Sequence, residues 1–187
     1  MLRRRVAAIV MVAGLAVIAA IAWPLLHREA NDLGLPLADV AIIREQAQDK
    51  HLDPALIAGV IFAETKFQPR TSPTGAEGLM QIEPATAEFL ARRSGATTFT
   101  LADLGTPAVN IAYGSYYLRY LLNVYGGDEM LALAAYNGGE TNVDSWLAQA
   151  RATGQPLTVA DIPFPETQAY VGRVESAQAA YKAVYGL

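Results

Sequence analysis

Glu64 stands directly behind the apolar run Val60-Ile61-Phe62-Ala63, a position suited to proton transfer. Ile57, Val60, Ile61 and Glu64 share one helical face by i, i+3, i+4, i+7 spacing, so the acid sits on the stripe that points inward. Partial burial among Ile61, Phe62 and Phe67 penalises the ionised form. That keeps a glutamic acid protonated near neutral pH and able to donate to a leaving group. The same helix also allows a plainer role, a glutamate at the rim of the core paired with Lys66 or Arg70. A second stretch, Ser72 to Ala87 (SPTGAEGLMQIEPATA), is glycine-rich and mixed in polarity. Gly75 and Gly78 permit backbone conformations closed to other residues, Met80 offers an adaptable apolar contact, and Gln81 carries an amide donor and acceptor. Such a loop either brings backbone close to a ligand or simply turns the chain.

The elements that must position these groups are helical almost throughout. Asp39 is expected to cap a helix through Lys50, and Asp53-Pro54 is an N-cap with proline at the first helical position, opening a helix that reaches Glu64. A Gly- and Pro-rich loop covers Gln68 to Glu83. Pro84 starts a third helix ending near Gly95, and TTFTLADLGTP holds too few β-formers to predict a strand. Thr106-Pro107 repeats the cap-then-proline signal for a helix to Tyr125, which Gly126-Gly127 stops in the left-handed conformation. Asp128 caps a short helix ending near AAYNGG, another runs from about Asn142 to near Gly154, and Pro165-Glu166 opens the last, which closes at Gly186. There is no internal repeat and no low-complexity tract after the N-terminal segment. The pattern predicts a mainly α single domain over residues 38–187.

At the N-terminus, Arg3-Arg4-Arg5 precedes an uncharged stretch from Val6 to Leu26, about the ~20 residues that a bilayer-crossing helix needs. Charge on the leading side places the three arginines in the cytoplasm and everything after Trp23 outside. Residues 1–26 are therefore expected to be a membrane anchor or, with Ala20-Ile21-Ala22 as a small-x-small site, a cleaved signal peptide; polar residues 27–37 form the linker. Beyond residue 30 remain 10 basic and 17 acidic side chains, a net charge of −7. No basic stripe is left to neutralise phosphates, which disfavours nucleic-acid binding. The absence of cysteine removes disulfides, thiolate metal sites and cysteine nucleophiles.

Five blocks, in order, resemble the motifs of the lytic transglycosylase (SLT) domain family, a relative of goose-type lysozyme. They are Glu64-Thr65 with Phe67 and Pro69; Ser72 to Ile82; Asn110-Ile111 with Gly114, Tyr117 and Leu118; Ala135-Tyr136-Asn137-Gly138-Gly139; and Pro165 to Val171. The resemblance implies a lysozyme-like α+β fold with little strand. It also implies cleavage of the β-1,4 bond between N-acetylmuramic acid and N-acetylglucosamine in peptidoglycan, leaving 1,6-anhydromuramic ends. By resemblance Glu64 is the single acid and base, Thr65 and Ser72 hydrogen-bond near it or the substrate, and Met80 and Gln81 line the sugar groove. Tyr136 and Asn137 face that groove, and Glu166 and Tyr170 complete its wall. Each of the last three also has a purely structural alternative: Tyr170 as core, Asn137 as a helix C-cap, Glu166 as a complement to the helix dipole. No cofactor and no metal is implied. The expected partners are peptidoglycan glycan strands, plus the membrane through residues 6–26, in the bacterial envelope with the domain in the periplasm. The sequence departs from the family pattern at Thr65, where serine is usual, and at Gly138, where alanine is usual. Two other functions remain open: a non-catalytic peptidoglycan-binding scaffold, or a hydrolytic muramidase in which Glu64 and Glu166 flank a water across ~6.5–9.5 Å.

Overall fold

Proline and capping signals set where most helices begin. In the computed structural model, which describes residues 34–187, Asp53 accepts a hydrogen bond from the Ala55 N–H at 2.9 Å and Pro54 opens its helix. Residues Leu37–Leu187 form a compact unit of seven α-helices among the described residues: α1 (Val40–Lys50), α2 (Pro54–Thr65), α3 (Pro84–Ser94), α4 (Pro107–Val124), α5 (Glu129–Gly138), α6 (Glu140–Thr153) and α7 (Pro165–Tyr185). Proline occupies the first turn of α2, α3, α4 and α7, where its missing N–H costs nothing. Asp128 caps α5 by accepting from the Leu131 N–H at 3.0 Å. Short 3₁₀ turns at Leu101–Gly105 and Val159–Asp161 are each closed by a threonine–aspartate capping box.

Three expectations are revised. Asp39 sits in the left-handed conformation (φ 54°) and makes no side-chain cap. Helix α6 begins at Glu140, directly after the bend at Gly139 (φ 86°), rather than near Asn142. The glycine-rich loop contains a two-stranded antiparallel sheet, β1 (Arg70–Thr71) with β2 (Glu77–Gly78), registered Arg70 to Gly78 and Thr71 to Glu77. Two residues per strand are too few for alternation to show. Side chains hold the hairpin instead: Thr71 Oγ1 donates to the Glu77 carboxylate at 2.7 Å, and Gln81 Nε2 donates to the Arg70 and Gly78 carbonyls, each at 2.8 Å. The expected membrane segment, residues 6–26, and most of the 27–37 linker lie outside the described residues. Among those described, no helix is long and apolar enough to cross a membrane.

Helix α2 is apolar on nearly all sides, and every residue from Ala55 to Ile61 is buried. It therefore lies inside the domain rather than on its surface. Its main neighbour is α7, and the two approach closely because Gly59 has no side chain. A Cβ there would come 3.0 Å from the Val174 carbonyl oxygen and 3.2 Å from the Gln178 nitrogen. The start of α2 is tied to the end of α7 by Asp53, which pairs with Lys182 and accepts from Gln178 Nε2 at 3.0 Å. Burial opposes ionisation of Asp53, but Lys182, the Ala55 N–H and Gln178 together outweigh it and lower the pKa. Helix α4 packs on α5 and α1, and Arg119 fastens it to the end of α1 through the Lys50 and His51 carbonyls. Because backbone cannot yield as a flexible side chain does, Gly59→Ala should destabilise the fold by about 1–3 kcal/mol. Thermal or denaturant unfolding measures this, and an unchanged midpoint would contradict the close seating of α2 on α7.

Candidate active site

The carboxyl of Glu64 occupies the last turn of α2, and the chain reverses immediately after it. Lys66 (φ 52°) and Phe67 (φ 61°) are successive left-handed residues, an uncommon conformation for side chains of this kind. The reversal brings Arg70 back to donate to the Glu64 carbonyl at 2.7 Å. Thr65, buried beside the acid, donates to the Ile61 and Leu79 carbonyls at 3.2 and 2.8 Å. Neither Lys66 nor Arg70 pairs with the carboxylate: the ion pairs among the described residues are Arg92–Glu88 and Lys182–Asp53. The side chain is half-buried, and its pKa is pushed up to about 7. Burial is the main cause. The Tyr170 hydroxyl, Arg173 and Arg70 pull the pKa down, and the charge of Glu166 adds to the rise.

Two tyrosines flank the acid. Tyr136, from the end of α5, donates its hydroxyl to the Met80 carbonyl at 2.9 Å. Tyr170, from the second turn of α7, is 1% exposed, and its hydroxyl has no well-aligned hydrogen bond. That hydroxyl interacts with the Glu64 carboxyl, so the contact is a loose one. The two rings are nearly parallel, 6.5 Å apart at 7°. Burial and then the nearby Glu64 charge push both phenols well above their ordinary pKa, so both remain proton donors throughout the neutral range.

A groove of about 260 Å³ adjoins this group, lined by Gln81, Glu83, Thr86, Tyr117, Tyr136 and Asn137 among others. A second hollow of about 370 Å³, lined by Phe164, Pro165, Glu166 and Thr167, shares Asn137 and Gly138 with it. Thr167 donates to the Asn137 side-chain oxygen at 2.8 Å, which leaves the amide nitrogen as the end free to donate.

Of the residues expected at the site, Glu64, Tyr136 and Tyr170 meet, and Gln81 and Asn137 line the groove. Glu166 is exposed on the adjoining hollow. Thr65, Ser72 and Met80 do scaffolding work in this structure. The Ser72 hydroxyl accepts from the Ala76 N–H and shares a hydrogen bond with Thr74, both at 2.9 Å. The Met80 side chain is fully buried against Gly114, where a Cβ would collide with its sulfur, so what Met80 presents to the site is its carbonyl. Three residues had no role assigned from sequence. Buried Asn110 accepts from the Met80 N–H at 2.8 Å and donates to the Glu77 and Leu104 carbonyls at 2.8 and 3.0 Å. It locks the hairpin at Gly78 (φ 79°), where any Cβ would strike its amide. Tyr117 supplies the groove's aromatic wall, and Arg173 carries the nearby positive charge. An asparagine inside the apolar pattern of α4 was a usable signal, since a buried amide must find partners. Arg173 lies on an exposed face and gave none. Among the described residues no cluster of His, Cys, Asp and Glu is arranged to hold a metal ion.

Comparison with known proteins bears on this arrangement. Residues 41–158 match the family model described as the transglycosylase SLT domain. The soluble lytic murein transglycosylase of Escherichia coli K12 is 30% identical over 154 residues, which cover 81% of this chain and 24% of that protein. Among solved structures, the 70 kDa soluble lytic transglycosylase of Escherichia coli superposes with a TM-score of 0.76 at 29% identity, over 92% of this chain and 28% of that one. An inactive mutant of the lytic transglycosylase Slt of Pseudomonas aeruginosa, with one glutamate changed to glutamine, superposes with a TM-score of 0.73 at 30% identity, over 81% and 25% of the two chains. This chain thus spans about a quarter of the length of these relatives. With a family match over residues 41–158, more than half its length, the chain belongs to the transglycosylase SLT domain family.

Proposed function

We propose that this domain is a peptidoglycan lytic transglycosylase in which Glu64 is the only acid and base. The observation that carries the proposal is the Glu64 carboxyl itself, raised to about 7 by burial beside an open groove. Near neutral pH both its protonated and its ionised forms are populated, and the same group can give a proton up and take one back. In the first step Glu64 protonates the glycosidic oxygen as the bond from the muramic C1 to that oxygen breaks, freeing the 4-hydroxyl of N-acetylglucosamine. The C6 hydroxyl of the same muramic residue then attacks C1, and its proton returns to the Glu64 carboxylate. The products are a 1,6-anhydro ring and a free glucosamine end, with no water added. An intramolecular hydroxyl has a very high effective concentration, so no second carboxylate is needed as nucleophile.

The surrounding groups have matching tasks. Tyr136 and Tyr170 stay protonated and supply hydroxyls beside the reacting centre. Gln81 and Asn137 offer amides to the sugars, and Glu166 sits on the adjoining hollow, where its charge helps keep Glu64 protonated. The murein-degrading relatives and the inactivity of a glutamate-to-glutamine mutant in one of them support this assignment. A substrate in the cell wall requires export, and residues 6–26 serve as the anchor that holds the domain on the periplasmic side of the inner membrane.

Glu64→Gln should abolish turnover of purified peptidoglycan while leaving binding to glycan strands intact; turnover at the wild-type rate would remove Glu64 from the mechanism. The same variant has a stability signature. The folded state holds the Glu64 proton up to about pH 7 whereas the unfolded chain releases it near 4.5, so wild-type stability falls as pH rises across that window. Glu64→Gln should therefore melt above the wild type at pH 8, with the gap closing at pH 4. The pH profile of kcat/KM should have a limb near pH 7 above which activity falls, because the protonated acid is consumed first. Arg173 lowers that pKa, so Arg173→Gln should move the limb to higher pH. A limb that does not move, or one centred at the ordinary glutamate value of ~4.3, would contradict the electrostatics.

A further inference from the structure

Phe164 is one of few large apolar side chains on the domain surface, 43% exposed, and it lines the hollow that shares Asn137 and Gly138 with the groove beside Glu64. Its placement is fixed from both sides. It is the residue immediately before the first turn of α7, and its carbonyl accepts from the Gln168 N–H at 3.0 Å. Its ring packs on the buried Trp146 at 5.1 Å and 81°. A perpendicular contact of this kind leaves at least one face of the Phe164 ring uncovered by the tryptophan. Trp146 is in turn seated against Gly138, where a Cβ would come 3.3 Å from the indole ring. The exposed ring is thus packed, through Trp146, against the end of α5 that presents Asn137.

An exposed aromatic ring held by a buried partner has little conformational freedom to lose on binding. Beside it lie two polar groups suited to a sugar: the Asn137 amide, oriented by Thr167, and the Glu166 carboxylate. An apolar face with a few placed donors and acceptors is what a carbohydrate ring requires, since a pyranose offers C–H groups on one face and hydroxyl or acetamido groups at its edge. Continuity with the catalytic groove sets the occupant as a sugar of the same glycan strand.

We propose that Phe164 is a stacking platform for an N-acetylhexosamine of the bound strand, away from the bond being cleaved, with Asn137 and Glu166 holding that sugar's edge. The proposal rests on the glycan-cleaving function above, and its test separates the two. A soluble β-1,4-linked N-acetylglucosamine hexamer is titrated by calorimetry into the full chain carrying Glu64→Gln, alone and combined with Phe164→Ala or Phe164→Trp. Removing the ring should weaken binding by about 10-fold, and tryptophan should restore it to within about twofold. Equal affinity for the parent and the Phe164→Ala protein overturns the platform and leaves the function standing. A loss that tryptophan does not restore, accompanied by a lowered melting temperature, also overturns it, because the ring then serves only to hold Trp146. Failure of the parent Glu64→Gln protein to bind the hexamer overturns the glycan reading and the platform with it.

Discussion

The structure depends on holding one carboxyl where water is scarce. Desolvating Glu64 opposes folding at any pH above its ordinary range, and something must offset that opposition. The offset comes from the helix that carries it. Helix α2 is buried from Ala55 to Ile61 and seated tightly on α7, so its gain in apolar burial greatly exceeds the cost of one strained acid at its end. Gly59 makes the close approach possible, and the Asp53–Lys182 pair with Gln178 fastens the far end of the two helices. Burial raises its pKa, and with no ion pair at the carboxylate the pull of Tyr170, Arg173 and Arg70 only partly offsets that rise.

A second layer of polar contacts keeps the groove in register with the acid. The hairpin after α2 is too short to stand on its own ladder, so side chains from elsewhere hold it: Gln81 across the two strands, Thr65 on Leu79, and Asn110 on three backbone groups. Tyr136 then bonds the Met80 carbonyl. One of the two tyrosines beside Glu64 is thereby pinned to the loop that forms the groove's edge. In this arrangement the same short segment positions both the acid's surroundings and the edge of the groove.

Much of this was legible in the chain. Proline after a capping residue marked α2 and α4, glycine marked their neighbours' ends, and the apolar face running into Glu64 pointed to a buried acid. What escaped had identifiable physical causes. Two-residue strands carry no period. Asp39 resembles a cap by type, but its backbone entered the left-handed region instead. The resemblance puts Met80 in the groove and Ser72 in hydrogen bonds near the acid or substrate; in the structure the Met80 thioether packs in the core and the Ser72 hydroxyl closes a turn. Arg173 acts on Glu64 through space from an exposed helical face, and no local pattern signals an interaction of that kind.

In the proposed reaction one carboxyl suffices because the substrate supplies its own nucleophile. Mass spectrometry of the sugar ends released from purified peptidoglycan by the full-length protein tests it directly. The expected products are muropeptides ending in 1,6-anhydromuramic acid. Reducing ends, one water heavier, would overturn it and require a second group to activate that water, with Glu166, whose charge reaches Glu64, as the candidate.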